Sequence, residues 1–178
     1  ALVHGFPSKD DLNWMAVRAK ERAPLSAELV NPAIAGRPYQ IAAIRSVLEA
    51  FESKRRMALV VMATGTGKTR TAAALVDVLM RARWARRVLF LVDRLALQEQ
   101  ALDAFKEHLP NEPTWPQQGE KTFASDRRIY CTTYQTLLGI VRHENPDQPW
   151  VSPFFFDLVI LDESHRSLYN IYGEVLDY

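Results

Sequence analysis

The chain has 178 residues, 48% of them hydrophobic and 24% charged, with a formal net charge of +1. That is enough chain for one domain with a real core, and so even a charge balance excludes a global attraction to nucleic acid, leaving only local contacts. A lone cysteine, Cys131, excludes an internal disulfide and a cysteine metal cluster and fits a reducing cytoplasm; no apolar run approaches the roughly 18 residues of a membrane span.

The N-terminus carries Lys9, Asp10 and Asp11 and lacks the apolar centre of a signal peptide. Ser8 and Asp11 have the spacing of a capping box, with Asp in place of the stronger Glu. The reading predicts a helix from Lys9 to about Arg22, with Leu12, Met15, Val17 and Ala19 as a partial apolar face. Pro24 and Pro32 bracket an irregular segment, so residues 1–35 read as an N-terminal helix and a linker entering from something upstream. The missing initiator Met points to processing or to a longer parent protein.

Gly36-Arg37-Pro38-Tyr39 opens the next helix, where Pro fits because its absent N–H is not needed. Ile41, Ile44, Val47, Leu48 and Phe51 hold helical spacing to about Ser53. A first strand is expected through Leu59-Val60-Val61, then a glycine loop, then a helical run to Trp84. Val88 to Val92 is a continuous apolar run, as in a strand buried on both faces. A helix follows from Leu95 to about Leu109. Residues 110–126 hold Pro110, Pro113 and Pro116 and read as a loop or short excursion. A third strand spans Arg128 to Thr132, a helix Tyr134 to Arg142, a second loop His143 to Pro153, and a fourth strand Phe156 to Leu161. This alternation predicts an α/β domain with a mostly parallel sheet. Ligands of such sheets sit beyond the carboxyl ends of the strands. The glycine loop, Asp93-Arg94, Thr132-Thr133 and Asp162-Glu163 each follow an expected strand and would converge there.

Met62-Ala63-Thr64-Gly65-Thr66-Gly67-Lys68-Thr69 is the most informative run. Strand, glycine loop and helix in that order make a phosphate-binding loop. Thr64, Gly65, Thr66 and Gly67 would turn backbone N–H groups toward an anion, helped by the positive end of the following helix. Lys68 would reach the β- and γ-phosphates of a nucleotide, and the Thr69 hydroxyl would bind Mg²⁺. Asp162, directly after Leu158-Val159-Ile160-Leu161, is placed to hold the same Mg²⁺ opposite Thr69, and Glu163 to polarise the attacking water. His165, beside that acidic pair, is a candidate for linking nucleotide state to a neighbouring element.

Asp-Glu-x-His after an apolar strand, with a loop reading Ala-Thr-Gly-Thr-Gly-Lys-Thr, resembles the superfamily 2 helicases and translocases. In that superfamily the first loop position is commonly not Gly, which accounts for Met62. Arg37-Pro38-Tyr39-Gln40 resembles the adenine-recognition motif, Leu91 to Gln100 resembles motif Ia, and Thr132 to Leu137 resembles the next nucleic-acid motif. Asp162-Glu163-Ser164-His165-Arg166-Ser167-Leu168-Tyr169-Asn170, continuing to Tyr172-Gly173-Glu174, is similar to the motor (R) subunits of type I restriction enzymes. Ser164 departs from the commoner Ala or Cys.

The resemblance covers about Gly36 to the C-terminus. It implies a RecA-like P-loop domain over residues 36–178, C-terminally incomplete, that binds ATP and Mg²⁺ and drives movement along duplex DNA. It implies Gln40 on the adenine edge with Arg37 nearby, and Arg94, Thr133 and Gln135 on DNA phosphates. Amide chemistry suits Gln40, since it both donates and accepts. Implied partners are a second motor domain, an upstream nuclease domain, and methylation and specificity subunits. Two other readings stay open: a superfamily 2 repair or RNA helicase, and a non-hydrolytic nucleotide switch or scaffold. Without an arginine finger, commonly worth about 10³–10⁵ in rate, the fragment alone would hold ATP better than it hydrolyses it.

Other features read as structural. Lys54-Arg55-Arg56, Arg86-Arg87 and Arg127-Arg128 each precede an expected strand and form a solvated rim at the amino edge. Glu52-Ser53-Lys54 has a nuclease-like spacing in the wrong context. Cys131 reads as a small buried hydrophobe, and Trp115 and Trp150 as anchors of their loops or contacts to a neighbouring domain.

Overall fold

A computed structural model describes residues 6–117, 120, 123, 126–142 and 151–162. The chain runs α1 (Lys9–Glu21), a short 3₁₀ turn (Leu25–Ala27), α2 (Pro38–Glu52), α3 (Lys68–Arg81), β1 (Val88–Val92), α4 (Leu95–His108), β2 (Thr114–Trp115), β3 (Ile129–Thr133), α5 (Tyr134–Val141) and β4 (Leu158–Leu161). The 4-stranded sheet has the order β2-β3-β1-β4, and every pairing is parallel. All carboxyl ends therefore share one edge, and the expected α/β architecture with a parallel sheet is present.

The two-residue period of β1 sorts its side chains onto two faces. Val88, Phe90 and Val92, with Ile129 and Cys131 of β3, join Ile44 and Leu48 of α2, Val76 and Leu79 of α3, and Phe105 of α4. Phe105 meets Phe90 edge-on at 5.3 Å between centroids. Leu89, Leu91 and Tyr130 face the other way, toward Tyr134, Leu137 and Ile140 of α5. That face is aromatic: Trp115, Phe123, Phe155 and Phe156 gather around Tyr130. Cys131 is fully buried, and its burial pushes the thiol pKa up, so it stays protonated and inert.

The strand expected at Leu59-Val60-Val61 does not form. The run joins no sheet, and Leu59 and Val61 are 81% and 87% exposed. A strand needs a partner for its backbone and this run has none in the sheet; Val60 and Met62 line a cavity of about 130 Å³ together with Ile160 of β4 and residues of α2 and α3. β2 goes the other way, a pairing inside a segment read as loop. It is two residues long between Pro113 and Pro116, too short to show periodicity, yet Trp115 is buried by it.

The capping box at α1 is present: Asp11 N–H donates to Ser8 Oγ at 3.1 Å, and Ser8 N–H donates to Asp11 Oδ2 at 3.0 Å. The helix packs through a different face from the one expected. Leu12 is 52% exposed, whereas Asp11, Trp14 and Arg18 turn inward at helical spacing. Asp11 meets Arg87, and Trp14 and Arg18 meet Asp157, just before β4. Its Oδ1 accepts from Trp14 Nε1 at 2.8 Å and from Arg18 Nη1 at 3.1 Å, and its Oδ2 accepts from the N–H groups of Arg86 and Arg87 at 2.9 and 3.1 Å. Arg87 is not a solvated rim residue. It is 5% exposed, pairs with buried Asp11 at 2.5 Å, and lies 4.0 Å over the Phe155 ring. Arg86 holds Asp10 at 2.5 Å, and Arg127 pairs with Glu120 and Asp126, while Lys54, Arg55 and Arg56 are exposed as expected.

The segment after α1 also contributes to the core. Leu25, Val30, Ile34 and Ala35 are buried in the same cluster as α2 and α3. Glu52, whose nuclease-like spacing was set aside, accepts from Leu25 N–H at 2.8 Å and Ser26 N–H at 3.2 Å. Its carboxylate satisfies the donors that open the 3₁₀ turn.

Candidate functional site

Gly65 and Gly67 adopt positive φ, +76° and +84°, which side chains disfavour and Gly does not. Thr66 between them is held by its own turn, donating to the Ala63 carbonyl from Oγ1 at 2.6 Å and from N–H at 3.4 Å. Its carbonyl points at α2, where Tyr39 Oη and Gln40 Nε2 both donate to it, at 3.0 and 3.1 Å. In a planar trans peptide the N–H opposes the C=O, so the Gly67 N–H points away from those side chains. Gly67 then opens α3, with Thr71 N–H closing the first turn on the Gly67 carbonyl at 2.9 Å. Ser8 caps α1 and Thr133 caps α5 with side-chain oxygens, whereas Gly67 offers α3 none. With no side-chain cap on α3, its first turn, reached through the glycine loop, is a candidate anion site.

Lys68 stands at the first position of α3 and Thr69 at the second. Lys68 and Asp162 line the same cavity, with Met62 and Thr71 beside them. Asp162 follows β4 directly, and its N–H donates to the Leu91 carbonyl at 2.9 Å, the last rung of the β1–β4 pairing. The sheet therefore fixes where this carboxylate begins. A hydroxyl, a carboxylate and an ammonium at a helix N-terminus suit a triphosphate with Mg²⁺. Glu163 and His165 lie outside the described residues, as do Trp150 and the run from Arg166.

The adenine-recognition candidates are tied to the loop itself. Gln40 is 2% exposed; its Oε1 accepts from Arg37 N–H at 3.3 Å while its Nε2 bonds the loop. An amide has two donors and two lone pairs, so one of each remains for a base. A Cβ at Gly67 would come within 2.8 Å of that Nε2, so the loop's glycine admits the glutamine as well as the left-handed turn. Arg37 donates to Tyr39 Oη at 2.8 Å. Tyr39 was not singled out on its own from sequence, nor was Arg70, whose guanidinium donates to the carbonyls of Ile34 and, at 2.8 Å, Ala33. Tyr39 lay within a motif already flagged; nothing local marked Arg70.

The nucleic-acid candidates lie at the carboxyl edge too. Arg94 precedes α4, is exposed, and approaches Asp93 at 3.6 Å. Gln135 is exposed in the first turn of α5. Thr133 is buried, its hydroxyl accepting from Thr136 N–H at 3.2 Å, so this side chain shapes the turn.

The ResIII family profile, described as the res subunit of type III restriction enzymes, matches residues 33–178. Two endonuclease subunits of type I restriction enzymes from Escherichia coli, EcoAI and EcoKI, are 34% and 37% identical over 80% and 79% of this chain. The chain spans 18% and 12% of their lengths. A solved fragment described as an HsdR subunit of a type I restriction enzyme from Vibrio vulnificus YJ016 matches all of this chain with a TM-score of 0.56 at 26% identity, and the match covers 31% of that chain. With a family match from residue 33 through residue 178, over a parallel α/β sheet with its glycine loop at the head of α3, this chain belongs to the ResIII family.

Proposed function

We propose that this chain is the ATP-binding part of a DNA-translocating motor, the first RecA-like domain (residues 36–178, with 1–35 as its N-terminal helix and linker) of a type I restriction R subunit. The observation that carries this reading is the meeting of Lys68, at the uncapped N-terminus of α3, with Asp162, at the end of β4, on one cavity. Family membership and the restriction-enzyme relatives support it.

ATP would lie with its phosphates on the Thr64–Thr69 backbone. Mg²⁺, which Thr69 and Asp162 would hold, would supply neutralisation of phosphate charge when bound. Lys68 neutralises the same phosphates, and Glu163 orients and accepts a proton from the attacking water. Gln40 reads the base, with Arg37 beside it, and His165 reports nucleotide state to a neighbouring element. Arg94 and Gln135 face duplex DNA from the starts of α4 and α5, and Thr133 sets the turn that presents Gln135. Contacts to phosphates carry no sequence information, as movement along any duplex requires. Recognition would then belong to methylation and specificity subunits, and cleavage to a nuclease domain of the same long chain, acting in the cytoplasm.

Among the described residues no group is assigned as an arginine finger, so the isolated chain should bind ATP·Mg and turn over far below the roughly 1–100 s⁻¹ of efficient phosphoryl-transfer enzymes. The test uses the full-length protein. Glu163→Gln should retain ATP binding while DNA-stimulated hydrolysis and triplex displacement are lost together. Retained hydrolysis would overturn the assignment of the water-polarising group.

A further inference from the structure

We propose that Arg70 is a positioning residue that ties base recognition to the phosphate loop. The inference rests on the reading of this site as an ATP site. Arg70 follows the loop's Gly67-Lys68-Thr69 directly and lies in the first turn of α3. Its side chain leaves the phosphate helix and reaches back to the turn before α2. There Nε donates to the Ile34 carbonyl and Nη2 to the Ala33 carbonyl at 2.8 Å. Two donors of one planar guanidinium on consecutive carbonyls fix both distance and rotation, which an ammonium cannot do.

The turn it grips is built to be rigid. Ile34 and Ala35 N–H groups donate to the Asn31 carbonyl at 3.1 and 3.0 Å, and Ala33 N–H donates to Asn31 Oδ1 at 3.0 Å. Ile34 and Ala35 are buried in the core. Gly36 closes the turn so tightly that a Cβ there would lie 2.9 Å from the Pro32 carbonyl oxygen. Directly beyond stand Arg37, Tyr39 and Gln40, and the last two bond the Thr66 carbonyl. The base-recognition segment is thus fastened to the phosphate segment at two points, one through Thr66 and one through Arg70. The Thr66 point involves groups at the base-recognition site. The Arg70 point lies on the far side of Gly36 and sets where α2 begins relative to α3.

Arg70 therefore acts on the base through Gln40 and not on the phosphates. Losing the grip lets the start of α2 shift against the loop, and a shift of part of an ångström is enough to spoil an amide's paired bonds to a purine edge. The binding of a bare polyphosphate, which needs only the loop, Lys68 and Thr69, is untouched.

The experiment measures equilibrium binding of Mg·ATP, Mg·GTP and Mg·tripolyphosphate to the full-length protein and to Arg70→Ala and Arg70→Lys variants. Arg70→Ala should weaken ATP about tenfold, as expected for losing charged hydrogen bonds that hold the site, and should bring ATP and GTP affinities together. Tripolyphosphate affinity should stay as in the wild type. Arg70→Lys should recover part of the ATP preference, with one donor nitrogen in place of two and no fixed plane. An Arg70→Ala protein that keeps the wild-type ATP-to-GTP ratio overturns the proposal. So does an equal loss for ATP, GTP and tripolyphosphate, which marks a merely structural role. A wild-type protein that binds none of the three overturns the ATP-site reading itself, a different result from either.

Discussion

The two edges of the sheet are built on opposite plans. At the amino edge, one carboxylate, Asp157, accepts from Trp14, Arg18 and two backbone N–H groups, and Arg87 and Asp11 bury an ion pair beside it. At the carboxyl edge, the loop glycines leave α3 uncapped, Arg94 and Gln135 are exposed, and Lys68 and Asp162 border a cavity. Both edges are polar. The amino edge ties Asp157 to four donors and Arg87 to Asp11, although Arg87 Nε has no partner among the described residues and a cavity of about 660 Å³ lies beside them; the carboxyl edge carries the glycine loop and the helix it opens. The arginines that tempt the eye as a nucleic-acid surface, Arg86 and Arg87, belong to the amino edge, where they pair with Asp10 and Asp11. Charge alone does not tell the two apart; the left-handed glycines and the helix they open do.

The sharpest way to test the contrast is to remove one cation from each edge. Lys68→Ala in the full-length protein should lower ATP hydrolysis by about 10²–10³ or more, as for other preorganised charge-stabilising groups, with denaturation midpoints unchanged. A large drop in stability would mean that the carboxyl edge is structural too. Arg87→Ala should do the reverse. Removing one member of a buried ion pair costs about 3–5 kcal/mol, readable by denaturant unfolding of this chain, and nucleotide affinity of the folded fraction should hold. Asp10 offers the smallest test. The Arg86 guanidinium holds its carboxyl below the ordinary 3.8. The folded form then binds that proton less readily than the unfolded chain. The stabilisation is therefore present above about 3.8 and lost as pH falls through the lowered folded value. Asp10→Asn should cost less than about 1 kcal/mol at neutral pH, since Asp10 is exposed, and the two proteins should converge in acid.

How legible each region was follows from the range of its interactions. The Gly65–Thr69 loop, β1 and the capping box of Ser8 and Asp11 are written within a few residues, and local spacing finds them. The aliphatic face of α2 shows in Ile44, Val47 and Leu48 for the same reason. The amino edge is written across long separations: Trp14 and Arg18 meet Asp157 from the other end of the chain. A periodicity search that looks for apolar stripes finds α1 but gives it the wrong inner face, because the residues it turns inward are Asp11, Trp14 and Arg18. Leu59-Val60-Val61 has strand-like composition, but pairing is not a local property, and this run joins no ladder. Arg70 was invisible for a related reason. Its partners are main-chain carbonyls, which every residue has, so no sequence pattern could mark them.

Asp157 and Asp162 stand immediately before and after β4, a strand of four residues. The first is gripped by α1, and the second borders the cavity at the head of α3. Parallel ladder bonds to β1 stiffen the span between them, roughly 16 Å at about 3.3 Å per residue. In mechanical terms β4 is a strut. A force pulling on α1 would enter the sheet at Asp157 and arrive at Asp162 along one backbone, with no intervening loop to absorb it.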